Sequence, residues 1–129
     1  MNKPIKIILI DDAKDITDVI RLVLELDGFI VETYSDGKLA LARLNESSKM
    51  CLILLDLQMP GLSGYEFMER FKKSGKFPVP VYLFSASEEA EAMAKVCGAE
   101  GVIKKPVGLE YLLGVVNNHC PGTIQSSPH

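Results

Sequence analysis

Several common features are missing from this chain of 129 residues, and each absence narrows what the protein does. There is no basic excess: the net charge is −3 and the pI about 5.4, whereas nucleic-acid-binding modules usually carry surplus lysine and arginine. The longest early apolar run, 7–10, stops at two aspartates and is too short for a signal peptide or a membrane span. We therefore expect binding neither to nucleic acid nor to a membrane.

Cysteine is also scarce. The three cysteines, Cys51, Cys97 and Cys120, are an odd number and show no Cys-x-x-Cys spacing. This usage argues against a disulfide framework or a zinc cluster and favours a reducing compartment. We therefore expect a cytoplasmic protein.

The composition itself is that of an ordinary globular domain. An apolar content of 47% with 24% charged residues excludes wholesale disorder, and the length suits one domain. No internal repeat divides the chain. We expect one domain over 1–120 and a flexible tail over 121–129, where hydrophobic periodicity is lost.

Short apolar runs alternate with helical patterns along the chain. The apolar runs predict five buried strands at 5–10, 29–34, 51–55, 79–84 and 101–104. Helical spacing of apolar residues predicts five helices, one after each strand. The residues expected to face inward include Ile16, Val19, Ile20, Val23 and Leu24 in the first helix, Tyr65, Met68 and Phe71 in the third, Met93 and Cys97 in the fourth, and Leu109, Leu112, Leu113 and Val116 in the fifth. This alternation predicts a doubly wound α/β fold with a parallel sheet covered by helices on both faces.

Polar side chains follow four of the five predicted strands. They are Asp11 and Asp12 after the first, Asp56 after the third, Ser85 after the fourth and Lys105 after the fifth. In a parallel sheet all strands end at the same edge, here called the carboxyl edge, where ligands of open α/β sheets bind. We expect these five side chains to lie together there.

Three carboxylates at one edge repel one another unless a cation or a proton lies between them. Oxygen ligands suit Mg²⁺, which typically takes one or two carboxylates, waters and a phosphate. An aspartate can act as a nucleophile and form an aspartyl-phosphate, with Lys105 and the metal neutralising the transferring group. Each residue also has an ordinary alternative, since Asp11-Asp12 could simply cap a helix and Ser85 could be a turn residue.

These residues together resemble the response regulator receiver domain of two-component signalling. The resemblance covers about 3–119 and rests on Asp11-Asp12, an Asp-x-x-Met-Pro-x-x-x-Gly stretch at 56–64, Ser85-Ala86 and Lys105-Pro106. It implies a flavodoxin-like parallel sheet of five strands in the order 2-1-3-4-5 with five helices.

The resemblance also implies a role for each site residue. Asp56 would accept the phosphoryl group, and Asp11 and Asp12 would hold Mg²⁺ together with Asp56. The backbone carbonyl of Gln58 would complete the metal ligands. Ser85 would be the switch hydroxyl, and Lys105 would contact a phosphoryl oxygen. The peptide bond between Lys105 and Pro106 would be cis.

One residue departs from the family pattern. Many receivers carry an aromatic residue three positions before the lysine, and this chain has Val102 there. The resemblance implies a signalling switch and not a general enzyme. Such a switch catalyses only its own phosphorylation and dephosphorylation. A histidine kinase or a histidine phosphotransfer protein would donate the phosphoryl group. The switch would act on a partner protein through the face formed by the fourth helix, the fifth strand and the fifth helix.

We also expect the signal to pass through a protein contact or through phosphate relay, because the chain begins just before the first strand and ends soon after the last helix. Two alternatives stay open. A receiver-like docking module would bind its partner without phosphorylation. A phosphohydrolase of the haloacid dehalogenase type would also use a strand-end aspartate, but such enzymes need a second acid where this chain has Gln58.

Overall fold

The computed structural model describes residues 5–44, 49–57, 59, 61–74 and 79–120. Strands and helices alternate through this part of the chain, as predicted. They are β1 (Lys6–Ile10), α1 (Lys14–Leu26), β2 (Ile30–Tyr34), α2 (Gly37–Leu44), β3 (Met50–Asp56), α3 (Gly64–Lys73), β4 (Val81–Ser85), α4 (Ala90–Cys97), β5 (Gly101–Lys104) and α5 (Leu109–His119). Gln58 and the predicted tail 121–129 lie outside the described residues. Among the described helices, none is long and apolar enough to cross a membrane.

The five described strands form one parallel sheet in the order β2-β1-β3-β4-β5, which confirms the predicted flavodoxin-like topology. The strand order reverses direction at β1, so that β1 and β3 lie side by side in the interior of the sheet. Both strands are nearly all apolar because helices cover both of their faces. The ends of β1 and β3 are therefore adjacent at the carboxyl edge.

Alternation of side chains along each strand divides the core in two. On one face, Ile8, Ile53 and Leu83 pack against apolar residues of α2, α3 and α4, including Phe67 and Phe71. On the other face, a second set of strand residues packs against α1 and α5: Ile7, Leu9, Leu52, Leu54, Phe84 and Ile103. Burying both faces fixes the register of the sheet, since a slip of one residue would exchange the two faces.

The inward face of α1 differs from the predicted stripe. Ile20 and Leu24 are buried as expected, but Ile16 is 38% and Val19 55% exposed. Thr17 takes the third inward position, and its hydroxyl donates to the carbonyl of Lys14 at 2.9 Å. The prediction was wrong for these two residues because a polar residue that bonds its own helix backbone can occupy a buried position.

Two other predicted inward residues also lie at the surface. Tyr65 in α3 is 43% exposed, whereas its neighbour Phe67 is fully buried, and Leu109 in α5 is 43% exposed. Both Tyr65 and Leu109 lie in the first turn of their helices. Cys97 is buried as predicted, and Met93 is partly buried.

The cysteines require a correction. Cys51 in β3 and Cys120 directly after α5 form a disulfide, with their Cα atoms 5.4 Å apart. The odd count led us to expect no disulfide, but it requires only that one cysteine remains unpaired, and this is the buried Cys97. The fold brings the start of the central strand and the end of the last helix together although they are 69 residues apart. Cysteine usage therefore no longer supports a reducing compartment.

Candidate functional site

The predicted polar residues meet at the carboxyl edge because of the strand register. Ile10 pairs with Leu55, so the residue after β1 lies beside the last residue of β3. Ser85 pairs with Lys104, so the residue after β5 lies just beyond the end of β4. The register thus brings together side chains that are up to 94 positions apart in the sequence.

Three carboxylates form the centre of the site. One oxygen from each of Asp11, Asp12 and Asp56 lies within 4.8 Å of the others. Asp11 is 2% and Asp56 5% exposed, whereas Asp12 is exposed to solvent. Two of the three negative charges are therefore held away from bulk water, where like charges repel more strongly than at a solvated surface.

Lys105 brings positive charge to this cluster. Its Nζ lies 3.3 Å from Oδ2 of Asp11 and 3.4 Å from Oδ1 of Asp56. The lysine side chain is 23% exposed, so its ammonium reaches two buried carboxylates from the partly open side of the site. Three carboxylates and one ammonium have a formal charge of −2, which leaves the cluster able to accept a cation.

The backbone fixes the first aspartate in place. Oδ1 of Asp11 accepts from the N–H of Ala13 at 2.9 Å, and the N–H of Asp11 donates to the carbonyl of Tyr34 at 3.1 Å. The N-cap of α1 is Ala13, which makes no side-chain capping bond. The alternative in which Asp11-Asp12 supplies the N-cap of this helix is therefore wrong, and Asp12 is left to face the cluster and solvent.

Ser85 ends β4 beside the cluster and is 4% exposed. Its Oγ accepts from the N–H of Ser87 at 3.0 Å, which orders the turn after the strand. Its carbonyl accepts from the N–H of Lys105 at 3.0 Å, so the backbone ties the ends of β4 and β5 together. The peptide bond between Lys105 and Pro106 is cis, as the resemblance implied.

The chain after Asp56 folds back tightly on the strand end. The N–H of Leu57 donates to the carbonyl of Phe84 at 3.1 Å, and the N–H of Gly64 donates to the carbonyl of Leu57 at 3.4 Å. A Cβ at Gly64 would lie 3.2 Å from Cα of Leu57, closer than ordinary side-chain contacts. Glycine at this point of the motif therefore lets α3 begin directly against the end of β3.

Sequence reasoning missed how α3 begins. Ser63 and Glu66 form a capping box, in which each side chain accepts from the backbone N–H of the other residue at 3.1 Å. The Ser-x-x-Glu pattern just before an apolar stripe is the signal that would have found it. The box helps to hold the loop between Asp56 and α3 in position.

A polar cavity beside the carboxylates was also missed. It has a volume of about 340 Å³ and opens between the end of β1, the end of β2 and the first turns of α1. Its walls include Asp11, Asp12, Lys14, Arg21 and Ser35. The residues following β2 were the available signal, because they end at the same edge as Asp11.

Tyr34 lies in the wall of this cavity and is itself part of a small network. Its hydroxyl donates to Glu32, whose Oε1 lies 2.8 Å from Nζ of Lys6. Burial, followed by the bond to Glu32, raises the pKa of Tyr34 to about 12. The bond from Lys6 is the largest cause of a lowered pKa for Glu32, followed by the bond from Tyr34.

The donor set fits the Mg²⁺ ion implied by the resemblance. Asp11, Asp12 and Asp56 provide hard oxygen atoms within reach of one another, and two of these residues are buried in fixed positions. A tight cluster of like charges with net negative charge is itself unfavourable, and a divalent cation relieves it. The three aspartates are therefore suitable ligands for a magnesium ion.

Comparison with known sequences identifies what this arrangement is similar to. The family model described as the response regulator receiver domain matches residues 7–117. The transcriptional regulatory protein CpxR homolog of Haemophilus influenzae is 37% identical over 101 residues, which make up 78% of this chain and 44% of that protein. Response regulator SaeR of Staphylococcus aureus is 31% identical over 114 residues, or 87% of this chain and 49% of that protein. The chain thus spans about half the length of these two relatives.

Solved structures are similar over a larger share of their length. The chemotaxis protein CheY4 of Vibrio cholerae superposes with a TM-score of 0.79 at 30% identity, covering 92% of this chain and 100% of that one. The receiver domain of the Francisella response regulator 1452 has a TM-score of 0.79 at 29% identity, covering 90% of this chain and 95% of that one. Sequence and structure comparisons therefore agree on the same family.

Proposed function

The chain belongs to the response regulator receiver domain family, and we propose that it is a phosphorylation-activated switch of a two-component phosphorelay. Asp56 is the proposed phosphoacceptor, and a histidine kinase or a histidine phosphotransfer protein is the proposed donor. The observation that supports this most strongly is the position of Asp56. It ends the central strand with its carboxylate 3.4 Å from Lys105 and within 4.8 Å of two further carboxylates.

The chemistry follows from this position. An oxygen of Asp56 attacks the phosphorus atom of a phosphohistidine, so that a new P–O bond forms as the P–N bond breaks and the imidazole leaves. Lys105 provides a fixed positive charge against the transferring group. Asp11, Asp12 and Asp56, with the backbone carbonyl of Gln58 as the resemblance implies, would hold Mg²⁺, which would supply further positive charge to the phosphoryl oxygens.

The proposed signal is a change in surface after this reaction. The phosphoryl group carries about −1.5 to −2 charges if it behaves like other phosphorylated side chains. Because it replaces the single negative charge of the Asp56 carboxylate, the end of β3 becomes more negative by about 0.5 to 1 charge. The hydroxyl of Ser85, now engaged by the N–H of Ser87 at 3.0 Å, can turn to donate to a phosphoryl oxygen. That exchange frees the turn leading into α4, and with it the face formed by α4, β5 and α5.

This face has a shape suited to a partner protein. Val102 and Tyr111 line a cavity of about 320 Å³ between α4 and the β5–α5 region, and Tyr111 is 56% exposed. Valine at 102 leaves the space that an aromatic residue would fill, so the movement of an aromatic side chain is not available as the signal. We propose that a downstream protein binds this face in the cytoplasm, without nucleic acid or a membrane taking part.

Intact-mass measurement tests the proposal. The protein is incubated with Mg²⁺ and a small phosphodonor such as acetyl phosphate, then weighed. We expect one phosphoryl group per wild-type chain, none on Asp56→Asn, and one on the matched control Asp27→Asn, which removes an exposed carboxylate beyond the end of α1. Omitting Mg²⁺ or adding EDTA should abolish the adduct.

The same experiment separates the alternatives. A folded wild-type protein that never gains a phosphoryl group would favour a docking module that works without phosphorylation. Steady multiple turnover of varied phosphate esters would instead favour a phosphohydrolase. A second measurement, the capture of partner proteins by phosphorylated and unphosphorylated chain, distinguishes a switch from a module whose binding ignores the phosphate.

A further inference from the structure

The disulfide joins the start of β3 to the end of α5. Cys51 is the second residue of β3, and Cys120 follows the last turn of α5. Their Cα separation of 5.4 Å lies within the range of 4.4–6.8 Å usual for protein disulfides. Cys120 is 5% exposed and its N–H donates to the carbonyl of Val116 at 2.8 Å, so the bond attaches to an ordered helix end.

A second contact holds the same turn of α5. The hydroxyl of Tyr82 in β4 lies 3.1 Å from Nε2 of His119, and the two rings meet edge to face at a centroid distance of 5.5 Å. Burial is the main reason why the pKa of Tyr82 is raised. Because Tyr82 keeps its proton, the end of α5 is bound to β4 by the contact between Tyr82 and His119 and to β3 by the disulfide.

The third cysteine differs in its surroundings. Cys97 in α4 belongs to the core on the opposite face of the sheet from Cys51 and Cys120. Its Sγ donates to the carbonyl of Ala94 at 3.8 Å, and it remains a thiol. Because the sheet separates it from the other two, Cys97 serves as an internal reference.

We propose that Cys51 and Cys120 are a reversible dithiol–disulfide couple that fastens the end of α5 to the sheet according to the thiol redox state. In the oxidation step, one thiolate attacks an oxidised small-molecule disulfide such as glutathione disulfide and releases one thiol. The second cysteine then displaces the remaining glutathione from the mixed disulfide. Two cysteine thiols thus lose two protons and two electrons, and one glutathione disulfide becomes two glutathione molecules.

The couple lies far from the proposed phosphoacceptor. Asp56 is five residues from Cys51 along the same strand, or about 17 Å at the rise of a β-strand. Oxidation should therefore leave the carboxylate cluster unchanged while closing a loop whose ends are 69 residues apart. Its expected effects are resistance to unfolding and loss of fraying at the end of α5, a helix of the proposed output face.

A redox titration with thiol trapping tests the couple. The full chain is equilibrated in glutathione buffers of varied ratio, denatured in N-ethylmaleimide and weighed. We expect a shift from three maleimides at the reducing end to one at the oxidising end, with a linked peptide pair containing residues 51 and 120. Cys97→Ser should shift from two to none at the same ratio. Single cysteines carrying glutathione, or a link through Cys97, would overturn the proposal.

Thermal unfolding gives a second readout. The midpoint of the oxidised protein should lie about 10 °C above that of the reduced protein, given the stabilisation typical of a long closed loop. Cys51→Ser should unfold at the reduced midpoint whatever the glutathione ratio. Equal midpoints for oxidised and reduced wild type would contradict the proposed fastening, and this comparison does not depend on any variant folding well.

Discussion

Replacing Asp12 by asparagine should make the chain more stable in the absence of Mg²⁺. Asp12 is the exposed member of a cluster whose other two carboxylates, Asp11 and Asp56, are buried. Asparagine has nearly the same shape but no charge, and no side-chain cap of α1 is lost because Ala13 is the N-cap. The substitution therefore removes repulsion with little change in packing.

The size of the effect follows from the separation of the charges. At 4.8 Å two unit charges repel by about 0.9 kcal/mol with the dielectric constant of water and by about 3.5 kcal/mol with an effective value of 20. Asp12 is exposed, so the lower figure applies to each of its two pairs. The ammonium of Lys105, which contacts the other two carboxylates, also attracts Asp12, and if it is taken at the same separation it offsets roughly half of the sum. We expect a net gain of about 1 kcal/mol in the free energy of unfolding.

Urea unfolding with EDTA and with Mg²⁺ measures both halves of this prediction. The wild type should gain about 1.4 kcal/mol at a magnesium concentration tenfold above its dissociation constant. Asp12→Asn should gain clearly less, because one ligand has lost its charge. In EDTA the free energy of unfolding of Asp12→Asn should thus be higher than that of the wild type, and in Mg²⁺ this difference should shrink or reverse.

A charge-matched control separates this effect from general surface electrostatics. Glu25→Gln removes one exposed negative charge from the last turn of α1, away from the carboxylates. It should leave the response to Mg²⁺ at the wild-type value. The reasoning would be refuted if Asp12→Asn were less stable than wild type in EDTA, or if Mg²⁺ stabilised it as strongly as the wild type.

Three further predictions concern other contacts. Lys105→Met removes the ammonium that pairs with two buried carboxylates and should lower the free energy of unfolding in EDTA by about 2 kcal/mol. Lys105→Arg keeps a positive charge and should lower it less. Equal stability of Lys105→Met and the wild type would contradict this prediction. The pKa of Tyr34 is raised to about 12 from its usual 10, so between these values this tyrosine ionises only in the unfolded chain. Its contribution to stability, intact below pH 10, should fall by about 1.4 kcal/mol per pH unit, and Tyr34→Phe should make the loss of stability above pH 10 shallower by that amount in pH-dependent unfolding. Gly64→Ala should lower the free energy of unfolding by about 1–3 kcal/mol because the added Cβ would lie 3.2 Å from the backbone of Leu57. Gly114→Ala, in α5 with open space around it, should raise it by about 0.5–1 kcal/mol. Similar thermal midpoints for the two variants would argue against the tight turn after β3.

The site could be predicted from the sequence to the extent that sheet topology determines it. In a parallel sheet every residue just past a strand lies at the same edge, so Asp11, Asp56 and Lys105 were expected at one edge once their strands were recognised. Strand order, which the resemblance implied, brings the ends of β1 and β3 side by side. The same rule does not say which carboxylates are buried or which atoms lie within contact distance. Those details depend on the register, which pairs Ile10 with Leu55 and only the structure supplies.

The errors arose at residues whose burial or pairing differs from what is usual for their residue type. Thr17 can be buried because its hydroxyl bonds the backbone of its own helix, whereas Val19 lies at the surface despite its apolar side chain. Cys51 and Cys120 pair because the start of β3 and the end of α5 lie side by side, and neither the number of cysteines nor their spacing contains that information. Hydrophobic periodicity reports an average environment, whereas such contacts are particular to one fold.

Chemical localisation of the phosphoryl group tests the central claim most directly. The phosphorylated chain is reduced with borohydride, which converts an acyl phosphate to an alcohol, and is then digested and mapped by mass spectrometry. The account predicts homoserine at position 56 in the wild type and unmodified aspartate at Asp11 and Asp12. Modification at either of those residues, or at a histidine or serine with Asp56 intact, would contradict it.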